Sequence, residues 1–276
     1  MGNTVFITGG TRGIGRGLVA AFHQLGWNVG FSGRSQESVN RASDWFAAAG
    51  LDAERLSGHV MAVDDPQAVR QAWQGTVKLF GRIDVWINNA GMSLPAEHFW
   101  DLSKQDIDSV VDTNLKGIMV SSAMVVPAMI AQGGGFIYFM EGLGSDGRKV
   151  ARMTLYGTTK YALAYFARAL ARETEGLGVV VGGLSPGMVV TDLLLADSGG
   201  VNSSGQAAGE IPEATRRIYN ILADRVETVA PWLARRVDKD FSSGRKSGTF
   251  VLHAWLTTAK IIGRFLTAGF IKRRIV

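Results

Sequence analysis

A tyrosine and a lysine four residues apart are the side chains in this sequence best suited to proton chemistry. The segment from Leu155 to Ala164 reads LYGTTKYALA, and a helix would place Tyr156 and Lys160 one turn apart on one face. A phenol has an ordinary pKa of about 10, but a neighbouring ammonium stabilises the phenolate and lowers that pKa. The pair is a candidate general acid, although this spacing also arises by chance in many proteins.

A glycine-rich segment near the N-terminus has the context of a phosphate-binding loop. A β-rich run from Asn3 to Thr8 leads into GGTRGIG, and a helical pattern follows to about Leu25. Glycines there let the chain turn sharply and let a pyrophosphate approach N–H groups at a helix N-terminus. A turn that merely joins two elements is the alternative. The residues of this loop predicted to bind a dinucleotide are Gly9, Thr11, Arg12, Gly13, Ile14 and Gly15.

The end of the second predicted strand, Asn28 to Ser32, indicates which dinucleotide is bound. It carries Gly33 and Arg34 where an NAD-selective site would have an acidic residue for the ribose hydroxyls. Arg34, together with Arg12, can pair with a 2′-phosphate through forked N–H donors. A solvated surface charge is the alternative for either arginine. The sequence therefore predicts NADPH as the preferred cofactor.

The elements that must position these residues alternate between strands and helices with short connections. This pattern predicts an α/β fold built on one doubly wound parallel sheet, with helices on both faces and a helical C-terminal extension. We expect a catalytic, cofactor-binding region at 1–198 and a substrate lid with a basic amphipathic helix at 199–276. The later predicted elements are strands at Leu56–Val63, Ile83–Ile87, Phe136–Met140 and Val179–Leu184, and helices at Ser103–Met129, Pro212–Val237 and Gly248–Ile271.

Several small or polar residues follow the predicted strands or interrupt an apolar helix. Asn89, Ala90 and Gly91 follow the fourth strand, and Asn114 lies among apolar neighbours in the long helix. The carboxyl ends of strands in such a sheet face the ligand crevice. Turn formation, or an ordinary satisfied polar residue, is the alternative. The corresponding residues after the sixth strand are Pro186, Gly187, Val189 and Thr191.

Composition excludes some kinds of site. The chain has no cysteine, so disulfides and thiolate metal sites are impossible, and its four histidines lack metal-ligand spacing. No metal site is therefore predicted. The N-terminus runs straight into the first apolar element, which argues against a signal peptide. The sequence contains no run of about twenty uncharged apolar residues, so no transmembrane helix is predicted. We expect a cytoplasmic location.

The excess of basic over acidic residues is concentrated in the last segment of the chain. Of 29 basic residues, 7 lie between Phe241 and Val276, where there is no acid. In the helix predicted there, a polar stripe would run along an apolar helix, which permits packing on protein or peripheral contact with anionic lipid. Nucleic-acid binding is disfavoured because no recognition motif accompanies these cations. The residues of that stripe are His253, Thr257, Lys260, Arg264 and Thr267.

Together, these motifs resemble the short-chain dehydrogenase/reductase family in order and spacing over about residues 3 to 195. The resemblance implies a Rossmann-type fold with Tyr156 as general acid-base and Lys160 as the group that lowers its pKa and holds the nicotinamide ribose. It also implies that Asn114 fixes a water in a proton relay, and that the chain assembles as a homo-oligomer. Cofactor contacts are implied at Val63, Asn89, Ala90, Gly91, Tyr156, Lys160, Pro186, Gly187, Val189 and Thr191.

Two positions depart from the family pattern. Ala62 takes the place of the aspartate that contacts adenine. The family's serine follows the fifth strand about thirteen residues before the tyrosine, but this neighbourhood reads EGLG, and the nearest hydroxyl is that of Ser145. Either Ser145 polarises the substrate carbonyl or backbone N–H groups do so. We favour Ser145.

A narrower resemblance links the second half of the chain to the chlorophyll b reductases. It is carried by MEGLGS from Met140, LYGTTK from Leu155, SPGMVVTDLLL from Ser185 and ETVA from Glu227. It implies reduction of the 7-formyl group of chlorophyll(ide) b, or of a related tetrapyrrole, to hydroxymethyl with NADPH. The alternatives are a reductase of another hydrophobic aldehyde or ketone, and a non-catalytic NADP-binding sensor or interaction protein.

Overall fold

The computed structural model describes residues 2–191, 194, 213–268 and 273–275, and its central feature is a seven-stranded sheet. The strand order is β3-β2-β1-β4-β5-β6-β9, and every neighbouring pair is parallel. This architecture confirms the predicted fold class. The strands are β1 Thr4–Ile7, β2 Asn28–Gly33, β3 Leu56–Val60, β4 Val85–Asn88, β5 Gly135–Met140, β6 Val179–Ser185, β7 Val189–Val190, β8 Asp224–Arg225 and β9 Val251–Ala254.

Helices cover both faces of the sheet. One apolar cluster joins the sheet to α1, α2 and α8, and a second joins its other face to α3, α5 and α6. Strands covered on both faces contain apolar side chains at successive positions, and β1, β4 and β5 are buried at every residue. The helices are α1 Gly13–Gln24, α2 Gln36–Ala48, α3 Pro66–Phe80, α4 Lys104–Val111, α5 Gly117–Ala131, α6 Thr154–Glu173, α7 Glu213–Leu222, α8 Val226–Ser242 and α9 Thr258–Thr267.

The strand order reverses between β1 and β4, which neighbour each other although β2 and β3 follow β1 in sequence. Crevices form at such a switch point because the helices that follow the two strands leave on opposite faces. The N–H of Thr8, just after β1, donates to the Ile87 carbonyl in β4 at 3.0 Å. The glycine loop after β1 and the asparagines after β4 are thereby held side by side.

The long helix predicted at Ser103–Met129 is interrupted by a π-helical turn at Asp112–Lys116. The Gly117 N–H bonds to the Asp112 carbonyl across this turn. Such wide turns are frequently found at functional sites. The predicted helix is present as one helical run, Lys104–Ala131, but the pattern of apolar residues does not reveal the one extra residue in this turn. The strand predicted at Leu56–Val63 also ends earlier, at Val60.

The C-terminal segment differs most from expectation. The helix predicted at Gly248–Ile271 is wrong, because Val251–Ala254 forms β9 and pairs in parallel with β6. The shorter helix α9 begins after Thr257, whose hydroxyl accepts from the Lys260 N–H. The helical region predicted at Pro212–Val237 is likewise divided by β8. The Gly-, Ser- and Ala-rich segment Gly199–Gly209, which the sequence predicts to be a flexible connection or part of a substrate lid, lies outside the described residues.

One helical run, Lys104–Ala131, is long and apolar enough to cross a membrane by length and composition alone. The core helix of a soluble protein meets the same criteria. Here Ile118, Val125 and Met129 are buried in the apolar cluster against the sheet. The apolarity of this run therefore has a structural explanation within the fold.

Candidate active site

Tyr156 and Lys160 lie on α6, beside the carboxyl ends of β4 and β5. The Lys160 Nζ is 5.7 Å from the centre of the Tyr156 ring and donates to the carbonyl of Met140, the last residue of β5, at 3.1 Å. Lys160 is buried, whereas Tyr156 is half-buried and lines a surface cavity. The predicted pairing of phenol and ammonium on one helix face is therefore present.

The protonation of Lys160 depends on burial and on one nearby carboxylate. Burial lowers the pKa of Lys160 to about 8, and the charge of Glu141 opposes that lowering. Glu141 is itself buried at the end of β5, and burial raises its pKa, while the Arg168 guanidinium 3.4 Å away opposes the rise. Because the Lys160 ammonium is the group expected to stabilise the phenolate, Glu141 helps to keep the site in its working charge state.

Gly142 occupies the position that faces the Tyr156 hydroxyl. A methyl group built on Gly142 would lie 2.5 Å from Tyr156 Oη and 3.4 Å from Lys160 Cε. Ser145 does not take up that position. Its Oγ accepts from the Gly142 N–H at 3.0 Å and is 3.4 Å from the Lys160 carbonyl, to which it donates. Ser145 closes the loop between β5 and α6, and its assignment as the carbonyl-polarising group stays a prediction.

Asn114 lies in the π-helical turn and is fully buried. Its Oδ1 accepts from the Met92 N–H at 2.8 Å, and its Nδ2 donates to the Met92 carbonyl at 2.7 Å. Gly91 lies between Asn114 and Lys160, since a methyl group there would be 3.4 Å from Asn114 Oδ1 and 3.8 Å from Lys160 Nζ. The turn thus brings Asn114, Gly91 and Lys160 to one place.

The glycine loop between β1 and α1 has the geometry of an anion cradle. Gly9 and Gly13 have φ angles of 65° and 53°, which glycine adopts without strain. A side chain on Gly15 would collide with the Gly9 carbonyl oxygen, so only glycine lets the helix start this close to the loop. The first turn of α1 carries no acid, which leaves its positive end open to a phosphate. These residues fit a dinucleotide pyrophosphate.

Two side chains brace that loop, Thr8 directly after β1 and Asn89 directly after β4. Asn89 Nδ2 donates to the carbonyls of Thr8 and Gly9 at 2.9 and 3.1 Å. Thr8 Oγ1 accepts from the N–H groups of Asn89 and Ala90 at 3.0 and 2.9 Å. Asn89 therefore fixes the shape of the cradle. Thr8 was not among the predicted site residues, and its only signal in the sequence is its place directly before the glycines.

The remaining predicted cofactor residues surround the same crevice. Thr191 Cγ2 would lie 3.4 Å from a methyl group on Gly13, so the segment after β6 lies against the glycine loop. Gly187 has a φ of 71° and turns the chain between β6 and β7. Val189 is buried in β7, and Val63 is buried against Gly117. Pro186 is also buried, directly after β6.

Arg12 and Arg34 are the two residues predicted to pair with a 2′-phosphate. Arg12 precedes α1, Arg34 follows β2, and both are exposed. Gly33 packs between the glycine loop and α2, since a methyl group on it would lie 2.6 Å from Thr11 Cγ2 and 2.5 Å from Ser38 Oγ. Within the described ranges, neither guanidinium forms an ion pair with a carboxylate of the chain. Both are therefore available to a phosphate.

A small surface cavity of about 20 Å³ opens beside Tyr156. It lies between the segment after β4, helix α4 and the start of α6, which is where a substrate would meet the phenol. Its lining is mostly apolar, with Arg152 and Glu97 as its charged residues. The apolar lining residues are Leu94, Pro95, Phe99, Leu102, Val110, Met153 and Leu155.

Residues 3–198 match a family model described as short chain dehydrogenase. The chain belongs to this family. Membership makes the protein an oxidoreductase, and it agrees with the placement of Tyr156 and Lys160 beside the glycine cradle.

Relatives of this short-chain dehydrogenase include plant chlorophyll(ide) b reductases. It is 32% identical over 252 residues to "Chlorophyll(ide) b reductase NOL, chloroplastic" of Arabidopsis thaliana, covering 90% of this chain and 68% of that protein. It is also 32% identical to "Probable chlorophyll(ide) b reductase NYC1, chloroplastic" of the same plant, covering 87% of this chain and 49% of that protein. The chain thus spans from about half to about two thirds of the length of these relatives.

Other relatives of the short-chain dehydrogenase have different names. It is 28% identical to "Sulfoacetaldehyde reductase 2" of Chromohalobacter salexigens, covering 75% of this chain and 81% of that protein. Among solved structures, 3-ketoacyl-(acyl-carrier-protein) reductase of Brucella melitensis, complexed with NADH, matches with a TM-score of 0.75 at 19% identity, covering 91% and 96% of the two chains. A structure of ElxO with NADP bound matches with a TM-score of 0.75 at 24% identity, with the same coverage. These likenesses show the shared fold.

The charge of Glu141 gives the site a testable pH dependence. Lys160, with a pKa of about 8, is charged below that pH and neutral above it. Reduction should therefore decline as the pH rises through about 8. Glu141→Gln removes the carboxylate that raises the Lys160 pKa, so the decline should move to lower pH, as measured in kcat from pH 5.5 to 9.5. Asp108→Asn, in an exposed pair with Lys104, is the control and should leave the profile in place. An unshifted profile for Glu141→Gln would contradict this role.

Proposed function

We propose that this protein is an NADPH-dependent carbonyl reductase that converts the 7-formyl group of chlorophyll(ide) b, or of a related tetrapyrrole, to hydroxymethyl. The observation that carries the reductase assignment is the convergence of Tyr156, Lys160 and Gly142, with Tyr156 lining an apolar cavity. The 32% sequence identity to a chlorophyll(ide) b reductase over 90% of the chain supports the choice of substrate.

The residues of the site divide the reaction between them. The cofactor, when bound, supplies a hydride to the carbonyl carbon. Tyr156 donates its hydroxyl proton to the carbonyl oxygen as that oxygen gains charge, which leaves an alcohol and a phenolate. The Lys160 ammonium stabilises the phenolate, and solvent returns a proton to it through the polar groups around Asn114. Asn89 and Thr8 keep the cradle in shape throughout.

We expect a preference for NADPH over NADH that depends on Arg34. Arg34→Gln removes one forked donor from the 2′-phosphate, and charge-assisted contacts of this kind lead us to expect about a tenfold lower kcat/KM with NADPH and little change with NADH. Arg41→Gln is a matched control, because Arg41 is exposed on α2 and pairs with Glu37. A higher catalytic efficiency with NADH in the parent protein would contradict the preference.

The substrate is best tested directly. Anaerobic incubation with NADPH and chlorophyllide b should shift the absorbance of the pigment as the formyl group is lost. The cavity opens to the surface beside Tyr156 and has a mostly apolar lining, which suits an apolar pigment that presents a peripheral formyl group. Activity on simpler carbonyls without any shift of the pigment spectrum would instead favour the alternative, a reductase of another hydrophobic aldehyde or ketone.

Peripheral membrane contact and homo-oligomerisation stay predictions from the sequence. The structure changes how the membrane contact would work, because Arg264 pairs with Asp224 and Lys260 Nζ lies 3.0 Å from the centre of the Trp255 ring. Exposed apolar side chains on α9, including Phe265 and Leu266, remain available for lipid. Flotation with liposomes should therefore show binding that is insensitive to salt, and absence of binding would refute it.

A further inference from the structure

Arg152 has an uncommon backbone conformation directly before the catalytic helix. Its φ is 66°, and it is the only residue other than glycine with a positive φ in the described parts of the chain. A side chain in this region is strained and is kept only where the surroundings impose it. Here the Glu97 N–H donates to the Arg152 carbonyl at 3.3 Å, and the Met153 N–H donates to Val150 at 3.2 Å. Strain of this kind is concentrated at ligand-binding sites.

Three basic residues precede α6, and they differ in whether their charged groups have partners within their own loop. The Arg148 guanidinium pairs with Asp146 at 2.8 Å, and Lys149 Nζ donates to the Gly147 carbonyl at 3.1 Å. Arg152 lines the cavity beside Tyr156, and its recorded hydrogen-bond contact is with His98 Nε2 at 3.4 Å. In the part of the chain that the structure describes, no carboxylate forms an ion pair with Arg152. Its charge is available to a ligand in the cavity.

The cavity offers a negatively charged substrate one cationic partner. Apart from Arg152, its charged lining residue is Glu97, which is exposed to solvent. A guanidinium matches a carboxylate through two parallel N–H donors, and such a pair strengthens when an apolar ligand displaces water around it. A neutral, esterified substrate would gain nothing from this group.

We propose that Arg152 binds a carboxylate of the substrate and makes the enzyme select the free-acid pigment over its ester. This inference rests on the proposed function and names the ionic form of the substrate that the same site takes. Arg152 is then a specificity-determining residue, while Tyr156 remains responsible for proton transfer.

Chlorophyllide b and its methyl ester form the matched pair of substrates that tests this inference. The parent protein should reduce the free acid with about tenfold higher kcat/KM than the ester, and this preference should shrink in high salt. Arg152→Asn removes the charge while asparagine tolerates a positive φ. It should abolish the preference by lowering kcat/KM for the free acid alone. Arg148→Asn is the control and should retain the preference.

Equal reduction of both pigments by the parent protein would overturn the inference while leaving the proposed function intact. An equal loss on both pigments in Arg152→Asn would also overturn it, because it would indicate a structural role. If neither pigment is reduced, the proposed function fails. Fluorescence titration of the two pigments against the parent protein and Arg152→Asn then decides the inference, which requires tighter binding of the free acid in the parent protein alone.

Discussion

Replacing Tyr156 with phenylalanine is expected to lower kcat by about 10²- to 10⁴-fold while leaving the binding of NADPH intact. The change removes the hydroxyl that gives its proton to the carbonyl oxygen but keeps the ring that lines the cavity. The glycine cradle and its braces at Asn89 and Thr8 lie just after β1 and β4, away from the Tyr156 hydroxyl, and should be undisturbed. Single-turnover oxidation of NADPH, followed by absorbance, measures the loss.

The same variant separates the enzyme from the non-catalytic alternative. Binding of NADPH, measured by fluorescence titration, should agree for the parent protein and Tyr156→Phe. Tyr165→Phe is a matched control, because Tyr165 lies on the same helix with 76% of its surface exposed. It should keep full activity. A parent protein that binds NADPH but reduces no carbonyl, and that is unchanged by Tyr156→Phe, would support the sensor or interaction protein.

Gly142→Ser is expected to lower kcat by about 10- to 100-fold, although it introduces a hydroxyl into the segment after β5 where the family pattern has a serine. A side chain at this position would begin 2.5 Å from Tyr156 Oη, so the phenol or the loop must move. Overpacking of this kind costs ~1–3 kcal/mol, which corresponds to that range of rate if it displaces the phenol from its working position. Gly142 has no positive φ, so strain in the backbone does not explain the expected loss.

Gly142→Ala should lose activity to a similar extent, since the clash arises at Cβ. Gly263→Ala is the matched control, because Gly263 lies in α9 with open space around the added methyl group. Thermal unfolding of the three variants distinguishes a displaced phenol from a destabilised fold. Higher activity in Gly142→Ser than in the parent protein would show that the site lacks a serine hydroxyl and accommodates one, contrary to our expectation.

Much of the fold followed from local patterns in the sequence. The alternation of buried strands with amphipathic helices predicted the doubly wound parallel sheet, because each such element must bury its apolar surface against another layer. The prediction failed at β9, where Val251–Ala254 was included in a helix. A short apolar run reads equally well as strand or helix, and its pairing with β6 depends on a sheet edge formed far away in sequence.

His253 shows the same limit at the level of one side chain. It was predicted on the polar stripe of a helix, but on β9 its Nε2 lies 2.6 Å from Asp240 Oδ2. Tyr138 Oη also donates to that carboxylate at 2.8 Å, from a strand more than a hundred residues earlier. Contacts of this kind join β5, α8 and β9, and no local pattern in the sequence predicts them.

The sequence by itself determined which residues are the candidates for the chemistry of the site. The spacing of Tyr156 and Lys160 on a helix, and the glycines between a strand and a helix, are local features whose geometry follows from regular backbone structure. Only the tertiary structure decided what surrounds them. It placed Gly142 against the phenol, Glu141 beside Lys160 and Arg152 in the cavity. These positions depend on how β5, α6 and the loop between them pack, which is a property of the whole fold.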